Sequence, residues 1–576
     1  MTENEMQAEG GNGTQLAARL GWALLILATL YVCYFRHLGA IGFVGPDEPR
    51  YAWVAREMVE SRDWVTPRLY GQPWFEKPPL YYWGAALSFK LFGASEAAAR
   101  LPSAVSALLA TLALAWLAWR VYGAETARWL LLLLPTTVGM IGFSRAAATD
   151  MPFSAMLTIA MVCAALALGF APSRDSGVLS LVSSSYSRSE VLARTPWLAL
   201  FLFGFFLGAA VLAKGPVAII LCGGSVFFWA LFTNGWRDAF HLLHPLATAS
   251  FSLTALPWYV LCASRNPDFL RVFLIEHNYQ RFLTPEFHHV RPFWYFGPVV
   301  LIALLPWVTW LAWFLFGARK GGDADSHAVA MTFFLALWAF LPVIFFSASK
   351  SKLPGYVLPS VPPLALLIGR AFVISAKRKP WFSRAALFLT ALLFLASAIW
   401  VMHDVYIRPP WTHVPRTVLI GGILLLSYVV PAIVGGLVVI VAAVLNRVSA
   451  GRMLALLVFL FLVMASTHYL PKLNPHLSVK TAASEIKTAG DESAYAYQLS
   501  RSWLYGLNFY LHREVPEWSP SVKSPAIVVT PRASLTELKN HVEIVAVISD
   551  SWDDANVVRV RPQQAQPQSE PAQPPR

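Results

Sequence analysis

MPFSAMLTIAMVCAALALGFA, residues 151–171, contains no charged side chain and is long enough to cross the hydrocarbon core of a bilayer as a helix. Asp150 stands directly before it, and similar apolar runs recur from about residue 18 to residue 469. A water-soluble fold of this length would instead show short amphipathic elements with polar faces. The pattern therefore predicts a polytopic α-helical membrane protein.

The composition agrees with this prediction. Hydrophobic residues make up 56% of the 576 positions and charged residues 13%, about half the charged share of a soluble domain. All four cysteines lie in or beside apolar runs, which predicts core residues and neither a disulfide nor a metal site. We expect about thirteen transmembrane helices, near 17–36, 98–119, 128–143, 151–171, 196–213, 215–232, 245–263, 294–317, 329–347, 356–375, 385–401, 417–445 and 453–469.

The charges of the short loops predict the orientation in the membrane. Basic residues cluster in alternate loops, and such loops belong on the cytoplasmic side. These cations are Arg120, Arg128, Arg237, Arg319, Lys320, Lys377, Arg378, Lys379, Arg384, Arg447 and Arg452. The N-terminus and the Ser-rich loop 172–195 are then expected inside, and the loops 37–97, 144–150, 264–293 and 347–356 outside.

After Leu470 the chain changes character. Strands are predicted at Ser493–Leu499, Pro525–Thr530, Val542–Asp550 and Asn556–Arg561, and helices near 478–489, 500–512 and 533–540. We therefore divide the chain into a membrane domain, 1–469, a small outer α/β domain, 470–561, and a Pro/Gln-rich tail, 562–576, that is expected to be disordered.

The outer loops carry more cations than the topology rule requires. Attraction to anionic lipids is one explanation, and binding of phosphate groups on a substrate is another. The second explanation is favoured because the cations share their loops with acids and aromatic residues. The outer cations are Arg50, Arg56, Arg62, Arg68, Lys77, Arg145, Arg265, Arg271, Arg281, Arg291, Lys350 and Lys352.

Two aspartates begin predicted helices at the outer surface. Asp47 precedes Pro49 and an amphipathic pattern from Tyr51 to Val59, which predicts an interfacial helix. Asp150 has the same position before the run quoted above. Each aspartate can be a helix cap or a catalytic carboxylate, and one side chain can serve both purposes. With Glu76 they could converge above the bilayer if the first loop folds back.

Three further outer segments carry polar groups. Glu76-Lys77 lies among aromatic residues that either form an interfacial belt or bind a sugar. Glu276 and His277, with a distant carboxylate such as Glu76, could bind a divalent ion, although their spacing matches no compact zinc signature and a hydrogen-bonded histidine is the plainer interpretation. The segment 349–356 is either a snorkelling basic patch or a phosphate clamp.

These strings resemble a known family. The resemblance is carried by Asp47–Tyr51 (DEPRY), Phe75–Pro79 (FEKPP), Ala148–Pro152 (ATDMP), Glu276–Phe282 (EHNYQRF) and Ser351–Tyr356 (SKLPGY). They look like the corresponding strings of the bacterial 4-amino-4-deoxy-L-arabinose lipid A transferases. Those enzymes are GT-C glycosyltransferases related to the protein O-mannosyltransferases.

The resemblance implies an enzyme of the bacterial inner membrane with a periplasmic active site. It implies transfer of aminoarabinose from undecaprenyl phosphate to a lipid A phosphate, with inversion expected at the anomeric carbon, and resistance to polymyxin as the result. Membrane lipids are further expected partners, and nucleic acid is not. The alternatives are another polyprenyl-phosphate sugar transferred to protein or glycan, and a lipid-sugar transporter. A transporter would require an inverted repeat, and no clear one is visible.

The resemblance also suggests roles for individual residues. Asp47 and Asp150 match the family's essential acids, and three residues match those that hold the carrier phosphate: Lys77, Arg281 and Tyr356. Glu76 matches a residue near a bound metal such as zinc, with Glu276 or His277 as the second ligand. Glu48, Arg50, Tyr51 and Lys352, in or beside the matching strings, are the other substrate-binding candidates.

Overall fold

The computed structural model describes most of the chain and divides it into two compact units. The first unit is Met1–Leu38 with Ala55–Tyr469, and the second is Gly39–Val54 with Leu470–Arg576. The predicted domain boundary differs in one respect, because it assigned Gly39–Val54 to the membrane domain. The described residues are 3–170, 197–284, 290–313, 326–406, 430–444, 450–464, 466–467, 471, 474, 477–490, 493–522, 524–551 and 555–562.

Helices dominate the chain before residue 470. They are α1 (Glu3–Leu30), α2 (Asp47–Ser61), α3 (Leu80–Phe92), α4 (Glu96–Tyr122), α5 (Ala124–Leu133), α6 (Val138–Ser144), α7 (Asp150–Ala167), α8 (Trp197–Lys214), α9 (Val217–Thr233), α10 (Trp236–His241), α11 (Pro245–Arg265), α12 (Phe296–Ala303), α13 (Ser326–Ala348), α14 (Val361–Arg378), α15 (Pro380–Tyr406), α16 (Val430–Val444) and α17 (Ala450–Met464). π-helical turns span Tyr31–Phe35 and Arg271–Gln280, and 3-10 turns span Phe293–Tyr295, Trp307–Leu311 and Pro354–Ser360.

The predicted multi-pass helical membrane fold is confirmed. Among the described residues, seven helical segments are long and apolar enough to cross a membrane, or eight if one bent pair forms a single span. Four shorter apolar helical segments accompany them: Val217–Thr233, Phe293–Ala303, Pro380–Leu393 and Arg452–Met464. The predicted count of about thirteen stays a prediction, since part of the run 417–445 and the Ser-rich loop 172–195 lie outside the described residues.

Two of the predicted continuous helices are broken. The run 128–143 forms α5 and α6, which meet at an angle of 61°, and the run 294–317 ends as an α-helix at Ala303. Each break contains a proline, Pro135 or Pro306, which cannot donate a helical hydrogen bond. The breaks are joined to each other, because the Val138 amide donates to the Leu305 carbonyl at 3.0 Å. Periodicity alone did not reveal these interruptions.

Helix α7 lies at the centre of the first unit. It packs against α4 and α8, and almost all of its side chains are buried. Continuous apolar sequence is what such a helix requires, because it has neighbours on every side. The four cysteines are free and buried, as predicted. The rigid packing of α7 fixes the position of its first residue, Asp150.

The segment 37–97 contains more regular structure than expected. A helix is present where one was predicted after Asp47, as α2, and a short hairpin pairs β1 (Arg68–Leu69) with β2 (Gln72–Pro73). Helix α3, however, was missed, because its aromatic residues resembled a membrane-surface belt. It begins directly after Pro79, at a position where the missing amide hydrogen is not needed.

Asp63 holds the turn between α2 and the hairpin. Its carboxylate accepts hydrogen bonds from the amides of Val65 and Thr66, at 3.0 and 3.1 Å, and lies 3.6 Å from Arg68 and 3.4 Å from Arg265. Burial acts to raise the pKa of Asp63, but the two amides and the two guanidinium groups outweigh it and lower the pKa. The C-terminal end of α11 is thereby joined to the segment 37–97.

The second unit contains a four-stranded sheet in the order β3-β4-β6-β5. Its strands are β3 (Ala494–Ala496), β4 (Ala526–Thr530), β5 (Val542–Ser551) and β6 (Ala555–Pro562), and its helices are α18 (Lys480–Ala489), α19 (Arg501–Leu511) and α20 (Leu535–Lys539). β3 and β4 are parallel, and the other neighbouring strands are antiparallel. The elements match the predicted α/β pattern closely. The predicted tail lies, apart from Pro562, outside the described residues.

Candidate functional site

Asp150 forms an ion pair with a lysine from another helix. Its Oδ1 lies 2.5 Å from Nζ of Lys214, the last residue of α8. The lysine side chain is 9% exposed and the aspartate side chain 22%. The same ammonium lies over the rings of Phe153, at 5.4 Å, and Tyr356, at 4.8 Å. Lys214 is therefore enclosed by one carboxylate and two aromatic faces.

Tyr356 reaches this pair from a third segment. It belongs to the turn Pro354–Ser360 that leads into α14, and the residue before it is Gly355. A Cβ atom at Gly355 would lie 2.5 Å from Oδ1 of Asp150, which is too close for a real contact. Glycine at position 355 therefore allows the backbone to approach the carboxylate.

We expect Gly355→Ala to reduce activity strongly, because the new methyl group must displace either Asp150 or the Tyr356 turn. The measurement is the rate of the sugar transfer that the family resemblance implies, for the purified variant at wild-type expression and melting temperature. Gly297→Ala in α12 is the matched control, since a Cβ there meets nothing within 4 Å. Equal rates for Gly355→Ala and wild type would show that the close approach has no functional role.

A second group of charged side chains surrounds Glu76. Its Oε1 lies 3.3 Å from Nη1 of Arg281 and 3.5 Å from Nζ of Lys77. All three side chains are largely buried, with exposures of 9%, 14% and 13%. One carboxylate thus faces two cations, and these three groups carry a net charge of about +1 in a partly desolvated position, where electrostatic interactions are strong.

His277 contributes to the electrostatics of this group. Burial lowers the pKa of His277; the Glu76 charge opposes the shift, and the Lys77 and Arg281 charges add to it. The imidazole is therefore neutral near pH 7. In this environment His277 does not add a third positive charge to the Lys77–Arg281 pair.

The Asp150 and Glu76 groups are connected through the residue after Lys214. A Cβ atom at Gly215 would lie 2.8 Å from the Phe273 ring and 3.4 Å from Oδ1 of Asn278. Both of those residues belong to the π-helical turn Arg271–Gln280, which also contains His277. The end of α8 is thereby packed against the segment that leads to Arg281.

The segment 349–356, which contains Lys352, is hydrogen-bonded to Phe282, the residue that follows Arg281. The Lys350 amide donates to the Phe282 carbonyl at 2.9 Å, and the Ser349 hydroxyl does so at 3.5 Å. Lys352 is 6% exposed, and its ammonium donates to the Ser349 carbonyl. Burial lowers the pKa of Lys352, and the Lys350 charge lowers it further. The Lys352 side chain therefore stabilises the turn to which it belongs, through its hydrogen bond to the Ser349 carbonyl.

The three predicted metal ligands do not come together as a ligand set. Glu276 pairs with Arg271, whose side chain is 62% exposed, and Glu76 faces Lys77 and Arg281. Throughout the described ranges, no group of three His, Cys, Asp or Glu side chains is arranged to hold a metal ion. A carboxylate already neutralised by cations is a poor metal ligand, so these residues do not fit a metal centre in this arrangement.

The other candidate residues belong to the second unit. Asp47 begins α2, and its carboxylate forms an ion pair with Arg50 while its side chain remains 49% exposed. Glu48 is buried and accepts a hydrogen bond from the Val44 amide at 2.8 Å. The Arg50 guanidinium lies 5.3 Å from the Tyr51 ring centroid. Glu48 therefore supports the start of the helix, and Asp47 presents an accessible carboxylate.

Sequence reasoning missed Lys214 and Gly355 as parts of the site. Lys214 stands between two predicted membrane helices, and Gly355 lies in the segment 349–356, but neither residue was assigned a role. One signal was available, because an isolated lysine that interrupts two membrane helices is expensive to keep unless it has a partner. The identity of that partner, 64 positions away, required the structure.

Comparisons with known proteins find a family model and relatives that are named as lipid-linked sugar transferases. A family model described as dolichyl-phosphate-mannose-protein mannosyltransferase matches residues 22–273. A relative from Aeromonas salmonicida, named undecaprenyl phosphate-alpha-4-amino-4-deoxy-L-arabinose arabinosyl transferase, is 30% identical over 67% of each chain. A relative from Sodalis glossinidius, which has the same name followed by the number 2, is 31% identical over 72% of this chain and 71% of its own. The chain spans about three fifths of two further relatives of that name, from Edwardsiella ictaluri (58%) and an Enterobacter (59%).

A solved structure has the same fold. The crystal structure of ArnT from Cupriavidus metallidurans bound to undecaprenyl phosphate superposes with a TM-score of 0.73 and 24% sequence identity. The alignment covers 95% of this chain and 99% of that one. At this identity the likeness establishes the membrane fold over nearly the whole chain.

Proposed function

The chain belongs to the undecaprenyl phosphate-α-4-amino-4-deoxy-L-arabinose arabinosyl transferase family, and on that premise we propose that it transfers 4-amino-4-deoxy-L-arabinose from undecaprenyl phosphate to a phosphate of lipid A. The bacterial inner membrane holds residues 1–469, and the catalytic loops and the α/β domain, 470–561, face the periplasm. The modification removes negative charge from the outer surface, which weakens binding of polymyxin and other cationic peptides.

The observation that carries this proposal is the pair of cations at Glu76. Lys77 and Arg281 are largely buried, and both face the Glu76 carboxylate, although Arg281 lies 205 positions from Glu76 along the chain. The remaining positive charge suits the phosphate of a lipid carrier, whose headgroup would lie at the helix ends while its chain stays in the membrane. Arginine and lysine at such a site bind phosphate through charge-assisted hydrogen bonds.

The chemistry is a displacement at the anomeric carbon. The bond from that carbon to the carrier phosphate oxygen breaks, a bond to a lipid A phosphate oxygen forms, and undecaprenyl phosphate leaves with the electron pair. Lys77 and Arg281 neutralise the charge that develops on the leaving phosphate. Single displacement inverts the configuration. Tyr356 and Lys352, both in the segment 349–356, are the other residues that bind the carrier.

The two aspartates have different surroundings and hence different roles. The acceptor phosphate is already ionised near neutral pH, so a base removes at most its second proton. Asp47 is half exposed and is the carboxylate suited to that step or to orienting the acceptor. Asp150 is engaged by Lys214, and it serves to stabilise positive charge on the sugar in the transition state. Glu48, Arg50 and Tyr51 support the acceptor side.

A divalent metal such as zinc beside Glu76 and His277 stays a prediction of the family resemblance. When bound, a metal would supply charge stabilisation at a phosphate. The ion pairs of Glu76 and Glu276 argue against this, and the test is direct. Full transfer activity after exhaustive chelation with EDTA would exclude a required metal, whereas a loss restored by zinc alone would establish it.

A second candidate acceptor is protein. The family model that matches residues 22–273 favours this acceptor, because its description, dolichyl-phosphate-mannose-protein mannosyltransferase, names protein as the acceptor. Such enzymes use the same class of polyprenyl-phosphate donor. Residues that bind the carrier phosphate do not distinguish the two acceptors. The distinction lies in the product.

Mass spectrometry of lipid A provides the test of the acceptor. In cells that supply the donor, we expect lipid A to gain one or two aminoarabinose groups only when the gene is present, and polymyxin tolerance to rise with them. Cells carrying an Arg281→Gln variant at equal expression are the control. Unmodified lipid A together with newly glycosylated periplasmic protein would favour the second candidate.

A further inference from the structure

The segment Gly39–Val54, which contains Asp47, is held by residues of the C-terminal part of the chain. The Gly42 amide donates to Oδ1 of Asn474 at 2.6 Å, and the Phe43 amide donates to the Tyr510 hydroxyl at 2.8 Å. These partners are more than four hundred positions away along the chain, at separations of 432 and 467. Two consecutive backbone amides of the segment are therefore fixed by side chains of the C-terminal part.

The side chain of Phe43 adds an aromatic contact. Its ring meets that of Phe509 edge-on, at 4.8 Å between centroids, and stacks on that of Tyr510 at 6.0 Å. Phe43 and Phe509 are each 3% exposed. Buried aromatic pairs in this geometry contribute beyond their apolar area. The segment therefore packs against helix α19, which contains Phe509 and Tyr510.

Gly42 leaves no room for a side chain at this position. A Cβ atom there would lie 2.1 Å from Oγ of Ser478 and 2.8 Å from the Tyr510 hydroxyl. The backbone of the segment therefore lies directly against the C-terminal residues. Such a close fit restricts where the chain can run over the few residues that separate Gly42 from Asp47.

Two more contacts lie on the other side of Asp47. The Arg50 guanidinium lies 5.8 Å from the Tyr505 ring centroid, and the Trp53 ring lies 6.1 Å from that of His512. Tyr505 and Phe509 are four residues apart in α19 and so share one face of that helix. Asp47 is therefore flanked by held residues before and after it.

We propose that Asn474 and Tyr510 are positioning residues, which fix the segment Gly39–Val54 and thereby aim the Asp47 carboxylate. This role rests on the proposed function only in that Asp47 takes part in transfer. The C-terminal α/β domain then contributes to the reaction by holding one catalytic carboxylate, that of Asp47, in position. A transferase of this kind then loses rate, and not donor affinity, when the support is weakened.

The test uses the full chain in nanodiscs, with Tyr510→Phe and Asn474→Leu as the variants. The first removes one acceptor oxygen and keeps the ring, and the second removes the other acceptor. Asn474→Asp is the conservative variant, because it keeps an acceptor oxygen, and Tyr495→Phe, in the core on the other side of the sheet, is the matched control. Deuterium uptake of peptides covering 39–50 is measured together with kcat and KM.

We expect deuterium uptake at Gly42 and Phe43 to rise about three- to tenfold in both variants, the range for one lost backbone hydrogen bond. The kcat should fall by a similar factor while KM for the donor is unchanged, and Asn474→Asp and Tyr495→Phe should behave as wild type. Unchanged uptake in both variants would overturn the proposal, as would raised uptake with unchanged kcat. Absence of transfer by the wild-type chain would instead refute the proposed function, and uptake would still report whether the segment is held.

Discussion

Arg281→Gln is expected to lower kcat by about a hundredfold to a thousandfold, the usual loss when one group that stabilises developing charge is removed. The physical reason is the leaving group, a lipid phosphate that gains charge as the sugar departs. With Arg281 gone, Lys77 is left to face both the Glu76 carboxylate and the phosphate, so the positive charge beside the phosphate is reduced. Donor binding should weaken as well, so KM should rise.

The matched control for this prediction is Arg265→Gln. Arg265 is another arginine of the loops that are predicted to lie outside; its side chain is 55% exposed and pairs with Asp63. Its loss should leave kcat within about twofold of wild type, because exposed ion pairs contribute little. A double variant, Glu76→Gln with Arg281→Gln, restores one net positive charge on Lys77 and should recover part of the loss. If Arg281→Gln and Arg265→Gln have equal rates, the carrier phosphate does not bind at the Glu76 group.

Asp150→Asn is expected to lower kcat by about a hundredfold to ten-thousandfold, the range for a carboxylate that acts in the transition state. The substitution keeps the shape of the side chain and removes its charge. It leaves the Lys214 ammonium, 9% exposed, beside two aromatic faces without its carboxylate. The positive charge would then oppose the cation-like sugar that Asp150 is proposed to stabilise.

The Asp150–Lys214 pair permits a double-mutant cycle. Lys214→Met alone should also reduce kcat, since Asp150 loses the group that holds it. The double variant should be no worse than Asp150→Asn, because the lysine acts through the aspartate. Asp268→Asn, at a side chain that is 74% exposed, is the control. Additive losses in the double variant would mean that Lys214 has a separate role, and wild-type activity of Asp150→Asn would exclude Asp150 from the mechanism.

Much of the fold was predictable because a bilayer imposes a simple rule on sequence. A span needs an uninterrupted apolar run, and most predicted helix bounds agree with the structure to within a few residues. The prediction of continuous helices over 128–143 and 294–317 was wrong, because each run contains a proline at which the helix breaks. The length of an apolar run does not indicate such a bend. Helix α3 was missed for a different reason, because Leu80–Phe92 is short and aromatic and lacks a long apolar run.

The candidate site was predictable in its residues and not in its pairings. Asp150, Glu76, Lys77, Arg281 and Tyr356 were named from their positions at the outer ends of helices and from the family resemblance. Which cation faces which carboxylate depends on how distant helices pack, and local patterns contain no such information. For that reason the ion pair with Lys214 was missed, and Glu276 was expected near a metal although it faces Arg271.

The central claim is that this chain moves an aminosugar from a lipid carrier with the help of the cations at Glu76. The most direct measurement is transfer by the purified full chain in nanodiscs, from chemically defined undecaprenyl phosphate-aminoarabinose to lipid A, followed by mass spectrometry of both lipids. We expect glycosylated lipid A and released undecaprenyl phosphate in equal amounts with the wild-type chain, and initial rates about a hundredfold or more lower with Arg281→Gln. Absence of product from the wild-type chain, or equal product from both chains, would contradict the account.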